Sequence, residues 1–139
     1  MYGSLDISTS GMIAQRIRLE AISANLANKD AILNSKGEYD PFRRREVMFA
    51  AGNPGASTPG GQEMGVHVSE IFVNQDALRE QFAPGSPYDD DKDGYILVPD
   101  IDPVTEQVNA MEAMRAYEAN VAAAQATKTM MAQALRLLA

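Results

Sequence analysis

Cysteine and tryptophan are absent from the chain, there is a single histidine, and only four phenylalanines occur. Without cysteine there can be neither disulfides nor thiolate metal sites, which suits a reducing compartment or an exported protein that does without covalent staples. His67, alone of its type, cannot build a histidine metal cluster or a His triad within one chain. Few large aromatics also limit the core. Apolar residues make up 45 % of the sequence, but many are alanine, a composition better at zipping helices together than at filling a thick globule. No run of 18 or more apolar residues is present, so no segment is expected to enter a membrane. The first residues, Met1-Tyr-Gly-Ser-Leu-Asp, lack the basic and apolar regions of a cleavable signal, so any export is expected to use another route. A basic stripe is missing as well. The net charge of −7 points away from nucleic acid, and the excess acid is concentrated between residues 86 and 106.

What is present is helical pattern at both ends. At 139 residues the size fits one small domain, or one domain with a helical appendage. From Val104 to the end runs an apolar stripe in which Met114, Tyr117, Val121, Ala124, Lys128, Met131, Leu135 and Leu138 alternate by three and four, the a/d seam of a coiled coil. Thirty-six residues of helix would extend about 54 Å, longer than the rest of so short a chain can cover. Such a seam needs a partner. Asp102 as N-cap and Pro103 at the first helical position start this helix, and Glu106 suits its dipole. Val104, Val108 and Met111 sit out of phase with the later stripe.

The N-terminal segment, about Ser4 to Asn28, reads as a second amphipathic helix. Leu5, Met12, Leu19 and Leu26 recur every seven residues, and Ile22 widens the stripe. Asn25 and Asn28 lie near its end, where amides can cap loose carbonyls and bridge to a neighbour. Between the helices the chain changes character. Phe42–Phe49 is rich in β-formers, Ala51–Gly65 is too rich in glycine and proline for a helix or strand interior, and Val66–Val73 alternates like a strand. Val66, Val68 and Phe72 fall on one face of that strand, and Ile71 and Val73 on the other. Ala83–Tyr88 is a loop, and Tyr95–Val98 is a short strand stopped by Pro99. The expected fold is α+β, with two long terminal helices pairing as a coiled coil around a small, loop-rich β insert. The expected divisions are an axial helix over 1–32, the insert over 33–101 and a second axial helix over 102–139.

Two clusters invite a chemical reading. Asp89, Asp91 and Asp93, followed by Gly94, with Ile96 at the eighth position and Asp100 at the twelfth, match the calcium-loop template. Against it, position twelve is the shorter Asp, and Pro84 and Pro87 leave no room for an entering helix. The plainer reading is a solvated acidic turn leading into Tyr95–Val98, with a calcium-binding interaction module using residues 89–100 as the alternative. Arg43, Arg44 and Arg45 could form an anion patch, but successive strand residues face opposite sides, so separate ion pairs or solvent exposure are expected. No Ser/His/Asp, Cys/His or paired-carboxylate arrangement stands out, and the glycine-rich run lacks the Lys-Ser/Thr ending of a phosphate loop. Catalytic, cofactor and metal residues are therefore expected to be absent, and an enzyme is not expected.

Several segments taken in order resemble one family. Ser4-Leu-Asp-Ile-Ser-Thr-Ser-Gly-Met-Ile-Ala-Gln-Arg16 and Ala21-Ile-Ser-Ala-Asn-Leu-Ala-Asn28 resemble the signature of the axial proteins of the bacterial flagellum, those of its rod and hook. Pro41-Phe-Arg-Arg-Arg45, the turn Asp89–Tyr95, Asp102-Pro-Val104 and Arg115–Val121 are similar to further segments of its rod members. The resemblance implies a structural subunit of the basal-body rod that polymerises with copies of itself and other rod proteins into a hollow, torque-transmitting shaft. It also implies export without cleavage through the flagellar type III apparatus. The terminal helices would form the inner layer of the tube, with the β insert outside. The assembly interface is then expected at Leu5, Met12, Leu19, Ile22, Asn25, Leu26, Asn28, Met114, Tyr117, Val121, Met131, Leu135 and Leu138, facing one another within or between subunits.

Overall fold

The computed structural model describes residues 2–89 and 93–138. Helix α1 (Tyr2–Ala27) leads through a loop into strand β1 (Arg45–Ala51), the short helix α2 (Pro59–Met64) and strand β2 (Val66–Val73). Strands β3 (Leu78–Phe82) and β4 (Tyr95–Pro99) follow, and the long helix α3 (Pro103–Leu138) ends the described chain. The two terminal helices pack on each other, and a small β region of two separate hairpins lies between them in sequence. This is the α+β arrangement expected. No described helix is long and apolar enough to cross a membrane.

α3 starts as its sequence requires. The Asp102 carboxylate accepts from the N–H groups of Val104 (3.2 Å) and Thr105 (3.1 Å) and from the Thr105 hydroxyl (2.5 Å). These bonds, the Thr105 side chain foremost, hold the Asp102 carboxyl below its ordinary pKa. At the other terminal helix, Asn28 donates to the carbonyl of Ala24 (2.8 Å) and closes the end of α1.

In the insert, β1 and β2 pair antiparallel with a bulge between Met48 and Phe49, and β3 and β4 pair from Leu78↔Pro99 to Phe82↔Tyr95. β2 occupies the residues its alternation indicated. The inward face of β4 buries Ile96 and Val98, and Ala77, Pro99 and Ile101 are buried around its end. His67 is a structural residue, its Nδ1 2.6 Å from the carbonyl oxygen of Gly52.

Two elements depart from the sequence reading. β3 was not indicated, because Leu78-Arg-Glu-Gln-Phe82 has too few β-formers to stand out and is a strand by virtue of pairing with β4. The glycine-rich segment, read as all loop, contains α2. Thr58 caps it, its hydroxyl accepting from Gly61 N–H (3.2 Å) and donating to Asp6 of α1 (2.7 Å), and Pro59 takes the first turn. Gly61 is there for proximity, since a Cβ on it would stand 2.7 Å from the Asp6 Cβ. What reads as helix-breaking composition is the clearance α2 needs to lie against α1.

Candidate assembly interface

The two terminal helices run antiparallel in a register that three contacts define. A Cβ on Gly11 would come within 2.8 Å of the Asn120 amide, Arg18 donates to Glu112 (2.9 Å), and Asn25 donates to Glu106 (3.1 Å). Gly11, Arg18 and Asn25 are seven residues apart on α1. On α3 the most covered positions are Glu106, Ala113 and Thr127, and with Asn120 they too recur every seven. The seam inside one chain is therefore a heptad of small and polar residues, along which the helices approach closely.

That seam lies one residue ahead of the expected heptad on α1 and of the Met114, Val121 and Lys128 series on α3, while the expected Ala124 and Met131 are half-buried like Asn120. Of the expected positions on α1, Ile22 is buried, while Leu5, Met12, Leu19 and Leu26 are half-buried on the adjoining flank, about 100° round the helix. On α3, Val121 and Met131 are half-buried. Met114 (51 % exposed), Tyr117, Lys128, Leu135 (67 %) and Leu138 (86 %) are left open. The sequence pattern followed the largest apolar side chains, and these are not the residues that α1 and α3 press together. Val104, Val108 and Met111, out of phase in the sequence, lie on the side of α3 turned away from α1 and are exposed.

The register also leaves an overhang. Extended to the start of α1, it brings Tyr2 level with Thr129, so about nine residues of α3, roughly 13 Å, project beyond its partner. The projecting segment carries Met130, Leu135, Leu137 (88 % exposed) and Leu138.

At the opposite end of the pair, Asn25 and Glu106 (each 1 % exposed) form a node joining three elements. The Asn25 side chain treats Arg45 as a strand partner would. Its Oδ1 accepts from the Arg45 N–H (2.9 Å), and its Nδ2 donates to the Arg45 carbonyl (2.9 Å) as well as to Glu106 Oε2. Arg44 Nε donates to Glu106 Oε1 (2.8 Å), and its NH1 donates to Glu46 (2.7 Å). The buried carboxylate is thereby paired and hydrogen-bonded, the condition for keeping a charge away from water. α1, α3 and β1 are joined here. Further along α1, Asp6 holds α2 through Thr58, and the buried Ser10 hydroxyl accepts from the N–H of Val66 (3.0 Å) at the start of β2. The insert is thus attached to α1 at three points.

The three arginines separate, although only Arg45 lies in β1. Arg43 pairs with Asp40 (2.6 Å), Arg44 enters the node, and the Arg45 guanidinium lies over the Phe42 ring, 5.4 Å from its centroid. In the acidic turn, Asp89 Oδ2 accepts from Gly94 N–H (2.9 Å) and Asp93 Oδ1 from Tyr95 N–H (2.9 Å), so both carboxylates shape the entry to β4. Asp91, the middle residue of the calcium template, lies outside the described residues. Among the described residues no three His, Asp or Glu side chains are grouped to hold a metal ion.

A long helix pair with a small-residue seam, an unpaired apolar stripe and a firmly attached β insert describes a subunit of an axial assembly. Comparison with known proteins specifies which. Residues 5–30 match the family model "Flagella basal body rod protein", and residues 92–137 match "Flagellar basal body rod FlgEFG protein C-terminal". Flagellar basal-body rod protein FlgC of Bacillus subtilis (strain 168) is 35 % identical, with 98 % of this chain and 97 % of that one covered. FlgC of Escherichia coli O6:H1 is 36 % identical over 95 % and 93 % of the two chains, and that of Borreliella burgdorferi 32 % over 99 % and 97 %. The chain belongs to the FlgC family of flagellar basal-body rod proteins. It is a structural subunit of the rod, and its place is the flagellar basal body.

Proposed function

We propose that the subunit joins copies of itself and other rod proteins in a hollow, torque-transmitting shaft through the apolar surface that its own helix pair leaves uncovered. The observation that carries this reading is the exposed series on α3, from Val104, Val108 and Met111 through Met114 and Tyr117 to the overhanging Leu135, Leu137 and Leu138. This uncovered surface runs along more than one flank of α3 and over its projecting end, and it meets different surfaces on neighbouring subunits. Where the rotation between neighbours does not close into a ring, contacts of that kind build filaments. Leu5, Met12, Leu19 and Leu26, half-buried along α1, are the complementary flank, while Asn25, Asn28 and Ile22 keep the helix in place to present it. The node gives the work of rotation a stiff path between helices and insert. No role in this reading calls for catalysis, a cofactor or a metal. Export proceeds through the flagellar type III apparatus.

A strain whose chain stops after Ala134 tests it. Burying a leucine contributes roughly 1.5–3 kcal/mol, repeated at each subunit contact. The truncated protein should be exported at normal levels, yet complete rods should be missing from electron micrographs of basal bodies. Normal rods and swimming would overturn the reading.

A further inference from the structure

Three of the five tyrosines gather at one place on the insert, far along the chain from the helix seam. Tyr39, Tyr88, Tyr95 and Leu97 line an open pocket of about 250 Å³ together with Glu80 and Asp93. The walls are fixed. Tyr39 and Tyr88 stack with ring centroids 5.3 Å apart and planes 12° from parallel, and the Tyr39 hydroxyl donates to the Leu97 carbonyl (2.8 Å) and accepts from its N–H (2.9 Å). Tyr95 rests against Phe82, centroids 5.3 Å apart. Asp93 is oriented by the N–H of Tyr95, whereas the Glu80 carboxylate has no hydrogen-bond or ion-pair partner among the described residues.

We infer that this pocket is a socket for an arginine side chain presented by a neighbouring protein. Tyrosine ring faces attract cations, and carboxylates at the rim add charge and acceptors, so the preferred guest is positive. Guanidinium suits it better than ammonium, because a planar, weakly hydrated cation stacks on a ring and forks to a carboxylate at once. At about 250 Å³ the pocket can hold a guanidinium head group but not a whole drug-sized ligand, so a free arginine derivative should bind weakly and one anchored in a protein surface more tightly. A side chain anchored in a protein surface needs only its head group covered, and the exposed Phe82 and Leu97 alongside offer an apolar border for the surface that carries it. The socket lies on the insert and is independent of the α3 stripe, so either can fail without the other.

Titration of the full-length, isotope-labelled protein with N-acetyl-arginine amide tests it, with the citrulline amide as neutral isostere and the lysine amide as the ammonium control. Saturable shifts are expected in the resonances of Tyr39, Tyr88, Tyr95 and Leu97, with citrulline at least tenfold weaker and lysine weaker than arginine. Glu80→Gln, at an exposed carboxylate with no partner among the described residues, should weaken arginine binding severalfold and leave the other resonances in place. Tyr95→Leu, which keeps an apolar strand residue but removes the ring face, should do the same. Equal binding of citrulline, stronger binding of lysine, or unchanged binding by both variants would overturn the assignment. In cells, Glu80→Arg should be exported normally and swim more slowly. Wild-type swimming by that strain would show that no arginine uses the socket.

Discussion

Replacing Asn25 by alanine removes one side chain and breaks three hydrogen bonds at the node: two to the backbone of Arg45 and one to Glu106. Asn25 is 1 % exposed, so water does not readily take over these roles. Each lost bond costs about 1 kcal/mol net, and a buried group left without a partner costs roughly 1–3 kcal/mol. The small gain in helix propensity from Asn to Ala, about half a kcal/mol, offsets little of this. A loss of about 3 kcal/mol in unfolding free energy follows, read from the midpoint of urea denaturation of the purified full-length chain. The loss should be cooperative across the node. Glu106→Gln keeps an acceptor for Arg44 but sets an amide N–H against the Asn25 amide, so the double variant should be less destabilised than the sum of the two singles. A loss below about 1 kcal/mol for Asn25→Ala, or strict additivity in the cycle, would refute the claim that Asn25 and Glu106 act as one junction.

Gly11→Ala should weaken the helix pair by about 1–3 kcal/mol through overpacking against Asn120, less the roughly 0.5–1 kcal/mol alanine gains over glycine in a helix. Asn120→Ala in the same chain should restore most of the loss, as urea titration would report. Asp102, whose folded pKa is depressed, contributes stability that is fully present above the ordinary aspartate value of 3.8 and is lost as pH falls from there through the lowered folded value. Asp102→Asn keeps a capping acceptor and should flatten that acid limb, measured by circular dichroism against pH. In the acidic turn, replacing Asp91 and Asp93 by asparagine should leave swimming equally unaffected in chelator-treated and calcium-replete medium, because the bond from Tyr95 N–H to residue 93 needs an oxygen rather than a charge.

The sequence made the two terminal helices, β2 and β4 legible because each carries a strong periodic or capping signal: the heptad spacing, Asp102-Pro103, and the alternation of Val66–Val73. β3 and α2 were hidden because their conformations are imposed from outside, by pairing with β4 and by clearance against α1. The seam was displaced by one residue for a similar reason. Apolar periodicity weighs residues by hydrophobicity, yet the helix contact runs through Gly11, Ala113 and Asn120, whose value is small volume or a specific hydrogen bond. The node was half visible. Asn25 and Glu106 were each singled out, one for bridging and one for the helix dipole, but nothing in a linear pattern brings residues 81 apart in sequence to the same point. The tyrosine pocket gave no signal at all, since Tyr39, Tyr88 and Tyr95 come together only through the fold of the insert.

Rod subunits are proposed to meet at the apolar surface that α1 leaves uncovered on α3. Site-specific photo-crosslinking in purified basal bodies tests it most directly, with the probe placed in turn at Leu137, at Met111 and, as an exposed control on α2, at Gln62. Probes at Leu137 and Met111 should yield adducts between rod subunits in high proportion, and the probe at Gln62 markedly fewer. Monomer alone from Leu137 and Met111 in intact rods would contradict the account.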